Sequence, residues 1–236
     1  MSEKGNLVMV LVCNDPKFIF LKTKKTAGTS VEMLLEPFCA PEGHAVLEKV
    51  DVIVSDRGII GSRLKGAQLP DELSKIYGLW HNHKPAAMVQ QLVGMIKWRQ
   101  STKITTVRNP FDRMVSMFHY GHRNAPFLGG DFDGIRKNFQ TWIVSGRWDA
   151  DESIVTIDGK LCVDFIVRFE NLRDDLKSLG AQLGVDIAVD SLPHTKSMAA
   201  TRRYEVRDYY DEDSVKMVVE RHKWVFDNCD YANEPQ

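Results

Sequence analysis

The sequence lacks a strong excess of either charge, which limits the kinds of partner that its overall field can attract. Its 31 lysines and arginines are nearly balanced by 32 aspartates and glutamates, giving a formal net charge of -1. A protein that binds nucleic acid through a broad surface field is usually strongly basic. The composition therefore gives no sign of a nucleic-acid partner, and any site for an anion must be a local patch.

Long hydrophobic runs are absent as well. The apolar run at 7–13 is much shorter than the roughly 20 residues that a membrane-spanning helix requires. The segment before it has neither the basic start nor the small-residue cleavage site of a signal peptide. These features argue against a membrane anchor, and we expect a cytoplasmic protein.

Cysteine is too sparse and too scattered to form the framework of a fold. No CxxC pair occurs, so buried thiols in a reducing compartment are the simplest interpretation, with a disulfide or a metal site as the alternative. We predict no metal site. The four cysteines are Cys13, Cys39, Cys162 and Cys229.

What is present is a chain long enough for a substantial core, with ordinary hydrophobic and charged contents of 43% and 27%. Apolar runs of strand length alternate with stretches of helical period, and a hairpin is predicted around Asp158-Gly159. This alternation predicts one α/β domain over 1–236, with three layers, a P-loop-like arrangement and a central, mainly parallel sheet flanked by helices. Strands are predicted at 7–12, 18–21, 50–54, 58–60, 103–107 and 163–167, and helices at 86–98, 111–120, 132–144, 171–183 and 213–226.

The most informative stretch is KFIFLKTKKTAGTSVE, at 17–32. A buried strand leads into a loop of small and basic residues, and a helix follows, with Thr29 or Ser30 as its predicted cap. The start of a helix directs N–H groups and positive charge toward one point, which suits a phosphate or a sulfate. Three lysines stand beside that point: Lys22, Lys24 and Lys25.

This loop resembles the phosphate-binding loop of ATPases and GTPases only in outline. Their motif, G-x-x-x-x-G-K-[ST], places a lysine directly after the second glycine. Here the lysines precede the loop's single glycine, Gly28. The pattern therefore argues against nucleotide triphosphate hydrolysis.

A second candidate site is TVRNPFDRMVS, at 106–116, where a strand end, a turn and a helix start follow one another. Arg108 can direct two donors onto a phosphate, and Ser116, two turns along the helix, can add a hydroxyl. For Arg113 we favour a structural ion pair over contact with a ligand. Ligands of parallel sheets bind at the carboxyl ends of strands, so the loops after Leu21 and Val107 are both expected at that edge.

A candidate general base lies in WHNHKP, at 80–85, directly before a predicted helix. Two histidines separated by one residue, His81 and His83, can accept a proton from a hydroxyl. No further Cys, Asp or Glu set accompanies them, which argues against a metal site. Trp80 is a candidate contact for the substrate.

Taken together, these motifs resemble the sulfotransferases that use 3′-phosphoadenosine-5′-phosphosulfate (PAPS), and in particular the carbohydrate type. The segment KTAGTS, at 25–30, is similar to their 5′-phosphosulfate loop, and 108–116 is similar to the R-x-P-x-x-R-x-x-S motif of their 3′-phosphate site. The histidine segment resembles the H-G-H-x-[PS] motif of heparan sulfate 2-O-sulfotransferase-like enzymes. The segment RFENL, at 168–172, is similar to another motif of the family.

The resemblance implies a role for each of these residues. Lys25 would stabilise the oxygen that leaves with 3′,5′-adenosine bisphosphate (PAP). Lys22 would either add to the positive electrostatic field at that oxygen or be an exposed lysine at a strand end. His83 is the first choice as base, with His81 second or as a residue that orients the substrate. The implied donor site consists of Lys22, Lys24, Lys25, Thr26, Ala27, Gly28, Thr29, Ser30, Arg108 and Ser116. A late basic loop either closes over the nucleotide or is solvated; it contains His194, Lys196, Arg202 and Arg203.

Two rival functions remain at this point. A P-loop-type small-molecule kinase would need a lysine after the loop's glycine and an acidic magnesium ligand at a strand end, and neither is evident. A non-catalytic nucleotide-binding protein of the same fold is the other rival. The acceptor would carry a hydroxyl, on a carbohydrate, a lipid, a small metabolite or a peptide, and the sequence leaves this choice and the oligomeric state open.

Overall fold

A six-stranded sheet organises the larger part of the chain. The computed structural model describes residues 10–63, 83–193 and 204–236. Within these residues the strands follow the order β3-β4-β1-β2-β5-β8 across the sheet, and β6 and β7 form a separate hairpin. The strands are β1 (Leu11–Asn14), β2 (Lys17–Leu21), β3 (Ile53–Val54), β4 (Gly58–Ile60), β5 (Thr102–Val107), β6 (Thr156–Ile157), β7 (Lys160–Leu161) and β8 (Phe165–Arg168).

Helices connect these strands and account for most of the remaining regular structure. They are α1 (Gly28–Cys39), α2 (Ala86–Val93), α3 (Met95–Gln100), α4 (Pro110–Gly121), α5 (Phe132–Val144), α6 (Glu152–Val155), α7 (Leu172–Leu183), α8 (Glu212–Arg221) and α9 (Lys223–Phe226). The result is a mixed α/β fold with a central sheet flanked by helices. The sequence also predicts a loop leading into a short helical turn at 68–74, and this segment lies outside the described residues.

The chain divides into two compact units, Met1–Thr106 with Ser153–Thr195 and Val107–Glu152 with Lys196–Gln236. In the first unit, α1 and α7 pack on one face of the sheet around a core that includes Phe18, Phe20 and Ile104. The alternate residues of β2, among them Ile19, are also fully buried. Such a strand is covered on both faces, which is why it appears in the sequence as an unbroken apolar run.

The second unit has its own core, built from α4, α5 and α8. Phe111, Phe118 and Phe139 are fully buried in it and pack against Tyr209 and Val218. The Phe118 and Phe139 rings meet edge to face at a centroid distance of 5.3 Å, a favourable arrangement for aromatic side chains. The prediction of a single domain over 1–236 stays a prediction.

The sheet is mixed in direction. β2 and β5 are parallel, with Leu21 opposite Thr105, as predicted. By contrast, the pairings β1–β2, β1–β4 and β3–β4 are antiparallel, so the expectation of a mainly parallel sheet does not describe this side. For β1 and β2 the physical reason is the connection at Asp15-Pro16, which is long enough for a hairpin but much too short for a parallel crossover.

Several element boundaries differ from the predicted ones because of single residues. The helix predicted at 86–98 is divided at Gly94, whose φ of 80° and ψ of 152° interrupt the helical backbone. The helix predicted at 213–226 is divided at His222. Residues 154–155, which the sequence places in the first arm of the hairpin predicted around Asp158-Gly159, belong to α6, whereas α5 and the end of α7 at Gly184 match their predictions.

Candidate active site

The loop between β2 and α1 is fastened to the neighbouring strand by three threonine hydroxyls. The Thr23 Oγ1 donates to the Thr106 backbone oxygen at 2.5 Å, and the Thr26 and Thr106 hydroxyl oxygens lie 2.7 Å apart. The Thr23 and Thr26 hydroxyl oxygens are 2.9 Å apart, and all three residues are buried. Because β2 and β5 are parallel, their carboxyl ends share one edge of the sheet, and this network holds the loop at that edge.

Two residues of this loop have a left-handed backbone without being glycine. Lys25 has a φ of 63° and Ala27 a φ of 61°. Such a conformation costs about 1–3 kcal/mol per residue and persists only where the surroundings impose it, as the threonine network does here. Left-handed residues in a tight turn direct neighbouring N–H groups to one side, which is the geometry of an anion-binding nest.

Helix α1 begins earlier than expected, so the predicted cap is wrong. Ala27 occupies the cap position, and the first helical bond runs from Val31 N to Ala27 O at 3.2 Å. Thr29 and Ser30 therefore lie inside the first turn, where N–H groups point toward the positive end of the helix. Ala27 has no polar side chain with which to cap the helix.

The other predicted loop residues differ in exposure. Lys24, Lys25, Ala27 and Thr29 are half-buried, whereas Thr26, Gly28 and Ser30 are buried. The Lys22 side chain is only 6% exposed, and its Nζ lies 2.8 Å from Glu32 Oε2 on α1. Lys22 is therefore not the exposed lysine at a strand end that the sequence also allowed.

His83 lies directly against this loop. Its Nδ1 is 2.7 Å from the backbone oxygen of Lys22, the first residue after β2. A carbonyl oxygen can only accept, so Nδ1 carries a proton, and the lone pair of the neutral ring is on Nε2. The structure thus brings the predicted base and the predicted anion loop together. His81 and Trp80 lie outside the described residues, as do His194, Lys196, Arg202 and Arg203.

The second motif is organised by the start of α4. The Asn109 side chain caps the helix by accepting from Phe111 N at 3.0 Å, with Pro110 as the first helical residue. Arg108 Nε donates to Asp112 Oδ2 at 2.5 Å. Ser116 is half-buried one turn beyond Asp112. Arg108, Asp112 and Ser116 therefore follow one side of this helix start.

Arg113 has the structural role predicted for it. It is buried, and its NH2 donates to Asp151 Oδ2 at 2.6 Å while its NH1 donates to His222 Nε2 at 2.6 Å. Burial, followed by the positive charge of Arg113, lowers the pKa of His222 to about 3. The neutral ring can then accept from the guanidinium and donate from Nδ1 to the Val218 backbone oxygen.

Replacing Arg113 with methionine is expected to lower the free energy of unfolding by about 3–5 kcal/mol, because Asp151 would remain buried without its counter-charge. Chemical denaturation monitored by tryptophan fluorescence measures the change. Arg136 is the matched control, since its ion pair with Asp133 is exposed and its loss should cost less than about 1 kcal/mol. Equal losses for the two variants would contradict the structural role of Arg113.

Lys84, next to the candidate base, is buried and donates to the thioether of Met88 at 3.1 Å. Burial lowers its pKa from 10.5 to about 8. The unfolded chain then binds this proton more tightly than the folded chain, so stability rises with pH between about 8 and 10.5.

The variant Lys84→Met is therefore expected to be more stable than the parent by about 1–3 kcal/mol at pH 7. This advantage should shrink as the pH rises through 8 toward 10.5, where the lysine is neutral in both states. Denaturant titrations at several pH values measure it, with the exposed Lys137→Met as control. If Lys84→Met is more stable than the parent by the same amount at every pH, burial of the charged Lys84 ammonium does not destabilise the folded protein.

A group of buried charges beside the loop was missed at the level of sequence. Glu32 and Glu36 are almost fully buried on α1, and the side chain of Arg63 is 3% exposed. The NH2 of Arg63 forms an ion pair with Glu36 Oε2. The sequence does show two carboxylates, Glu32 and Glu36, one turn apart in a largely apolar helix. Their partner, Arg63, lies too far along the chain for the sequence to connect it with them.

One cavity lies away from this loop. It has a volume of about 420 Å³ and is lined by the β1–β2 turn and the α2–α3 junction, including Asn14, Lys17 and Gly94. Lys17 begins β2 and the loop follows its other end, about 16 Å away for five extended residues. Among the described residues no cluster of metal-binding side chains occurs. Within the same ranges, no helix is both long and apolar enough to cross a bilayer.

A comparison with known proteins assigns the family. The model of the sulfotransferase family matches residues 8–147, which is more than half of the chain and contains the loop after β2, His83, Arg108 and Ser116. No curated protein and no solved structure matches the chain. With the loop after β2 and the adjoining His83 within the matched segment, the chain belongs to the sulfotransferase family.

Proposed function

We propose that this protein transfers a sulfuryl group from PAPS to the hydroxyl of an acceptor. The observation that carries the proposal is the contact of 2.7 Å between His83 Nδ1 and the Lys22 backbone oxygen, at the start of the anion loop. This contact fixes the tautomer whose Nε2 can remove a proton. The same contact supports the proposal because His83 lies beside the loop that would hold the transferred group.

The loop would bind the 5′-phosphosulfate through first-turn N–H groups and through hydroxyls. Gly28, Thr29 and Ser30 supply N–H groups at the positive end of α1. The Thr26 hydroxyl lies in the network with Thr23 and Thr106, so its part is to hold the loop in shape.

The reaction would proceed in line. The acceptor oxygen attacks sulfur as its proton passes to His83 Nε2, and the bond between sulfur and the bridging phosphate oxygen breaks, releasing PAP. Lys25 would stabilise the negative charge that develops on the bridging oxygen. By analogy with phosphoryl transfer, positioning and charge stabilisation would provide most of the rate.

Arg108 and Ser116 would bind the 3′-phosphate of the donor. The bond from Arg108 Nε to Asp112 fixes the plane of the guanidinium, and a fixed guanidinium is suited to a phosphate. Ser116 lies on the same side of α4 and can donate its hydroxyl. The 3′-phosphate distinguishes PAP from other adenine nucleotides, so this motif would determine donor specificity.

Thermal shifts with three nucleotides test this assignment of the donor. PAP should raise the melting temperature more than ATP with magnesium or adenosine 5′-phosphate at equal concentration, because only PAP carries the 3′-phosphate. Arg108→Ala should weaken PAP binding by about 10- to 100-fold and leave adenosine 5′-phosphate nearly unaffected.

Two outcomes would replace the proposal. A larger shift with ATP and magnesium would favour a kinase. Tight binding of PAP without turnover on any acceptor would favour a non-catalytic protein of the same fold. A panel of acceptors containing carbohydrate, lipid, peptide and small-molecule hydroxyls identifies the acceptor class, with carbohydrate as the class that the motifs favour.

A further inference from the structure

Lys22 takes an unexpected path for a lysine at a candidate anion site. Its stem crosses the start of α1, where a Cβ added to Gly28 would lie 2.8 Å from Lys22 Cγ. Its ammonium ends 2.8 Å from Glu32 Oε2, and both side chains are almost fully buried. Gly28 is therefore required at this position for Lys22 to reach Glu32.

The ion pair continues into a balanced set of buried charges. Arg63 NH1 lies 3.9 Å from Glu32 Oε1, and its NH2 pairs with Glu36. Arg63 is held in turn by the Leu47 backbone oxygen, which accepts from its Nε at 3.1 Å and from its NH2 at 2.7 Å. Two cations, Lys22 and Arg63, therefore face two carboxylates, and the His44 ring joins the set with its Nε2 2.7 Å from Glu36 Oε1. Removing the charge of Lys22 or of Glu32 leaves its partner without that counter-charge in a buried environment.

The backbone of Lys22 connects this set to the base. Its carbonyl oxygen accepts from His83 Nδ1, while Leu21 and Thr23 on either side of it are tied to β5. The ion pair with Glu32 adds an anchor on α1. The position of the carbonyl is thus determined by the sheet and by the first helix together.

We propose that Lys22 and Glu32 are positioning residues: their packed, charge-balanced side chains hold the Lys22 carbonyl, which sets the tautomer and orientation of the His83 ring. In this assignment Lys22 acts through its backbone and its packing, and it does not contact the donor phosphates with its ammonium. The inference rests on the proposed function for the role of His83 as base. A positioning role for Lys22 predicts a loss of kcat, whereas a donor-binding role predicts a loss of affinity for PAP.

A double-mutant cycle separates the two roles. Lys22→Met and Glu32→Gln should each lower kcat by about tenfold, with the KM for PAPS and the affinity for PAP changed less than about twofold. The double variant should recover most of the lost kcat, because methionine keeps the packing over Gly28 and no buried charge is left without a partner. Lys17→Met, an exposed lysine at the other end of β2, is the control and should change nothing.

The opposite pattern would overturn the proposal. If Lys22→Met weakens PAP binding more than about tenfold and the added Glu32→Gln does not restore it, then Lys22 contacts the donor directly. Isothermal titration of PAP measures the affinities. Denaturation curves for each variant show whether the proteins compared are folded at the assay temperature.

Nitrogen-15 NMR of the His83 ring gives a readout that does not depend on turnover. The parent should show protonated Nδ1 with Nε2 as the unprotonated nitrogen, and the single variants should shift toward a mixture of tautomers that the double variant reverses. Ring signals that are identical in all four proteins would contradict the positioning role. Failure of the proposed function itself would appear differently, as an absence of PAP binding in the parent with this NMR pattern intact.

Discussion

Replacing His83 with alanine is expected to lower kcat for sulfuryl transfer by about 10²- to 10⁴-fold, the usual contribution of a general base. The affinity for PAP should change by less than about twofold, because the base acts on the acceptor and not on the bound nucleotide. Steady-state kinetics with radiolabelled PAPS, combined with isothermal titration of PAP, measure the two quantities separately.

The variant His83→Asn is the sharper form of this experiment. His83 has a φ of 58°, a left-handed conformation that asparagine adopts more readily than alanine does. The asparagine amide can also donate to the Lys22 carbonyl in place of Nδ1–H, but it cannot take a proton. If His83→Asn keeps more than about a tenth of the parent kcat, the histidine serves the fold and another group is the base.

Lys25→Ala is expected to lower kcat by about 10²- to 10³-fold, because its charge would stabilise the oxygen that leaves with PAP. The negative charge on that oxygen grows as the bond to sulfur breaks, so the loss should appear in kcat more than in the KM for PAPS. Alanine and lysine both have a Cβ and therefore have similar backbone strain at the φ of 63° found here. The substitution should therefore leave the conformation of the loop unchanged.

Lys24→Ala is the matched control for Lys25, since the two lysines are adjacent and both half-buried. A lysine that only attracts the donor should raise the KM for PAPS with little change in kcat. If the two variants show the same losses in both constants, the charge of the loop acts as a whole and Lys25 has no special position at the breaking bond.

The sequence predicts the parts of the site that depend on short segments. β2 is recognisable because its apolar run is buried on both faces, and the loop after it is recognisable because small residues, lysines and a helix start occur together. The role of Arg113 is also predicted correctly, since an arginine inside an apolar helix face requires a buried counter-charge, here Asp151. These features are local in the chain, so local reasoning reaches them.

Other features depend on partners that are distant in the sequence. Nothing in the segment around Lys22 indicates that its ammonium pairs with Glu32 or that its carbonyl accepts from His83, a residue 61 positions further along. The cap of α1 was placed by side-chain preference, but the strained backbone at Ala27 determines where this helix begins. The direction of β1 could have been inferred, because the turn at Asp15-Pro16 is too short for a parallel connection.

The family match and the geometry of the site both include His83. The matched segment covers both motifs and His83, and the structure adds the hydrogen bond that gives His83 its tautomer. A sulfotransferase needs a held donor, a base and a positive charge at the departing oxygen. The loop, His83 and Lys25 are the residues of this chain that we assign to these three tasks.

The most direct test is the transfer of radiolabelled sulfate from PAPS to the acceptor panel by the parent, His83→Asn and Lys25→Ala. We predict acceptor-dependent transfer, with release of PAP, by the parent, and losses of about 10²-fold or more in both variants, while His83→Asn binds PAP as tightly as the parent does. Full transfer activity in both variants would contradict the account.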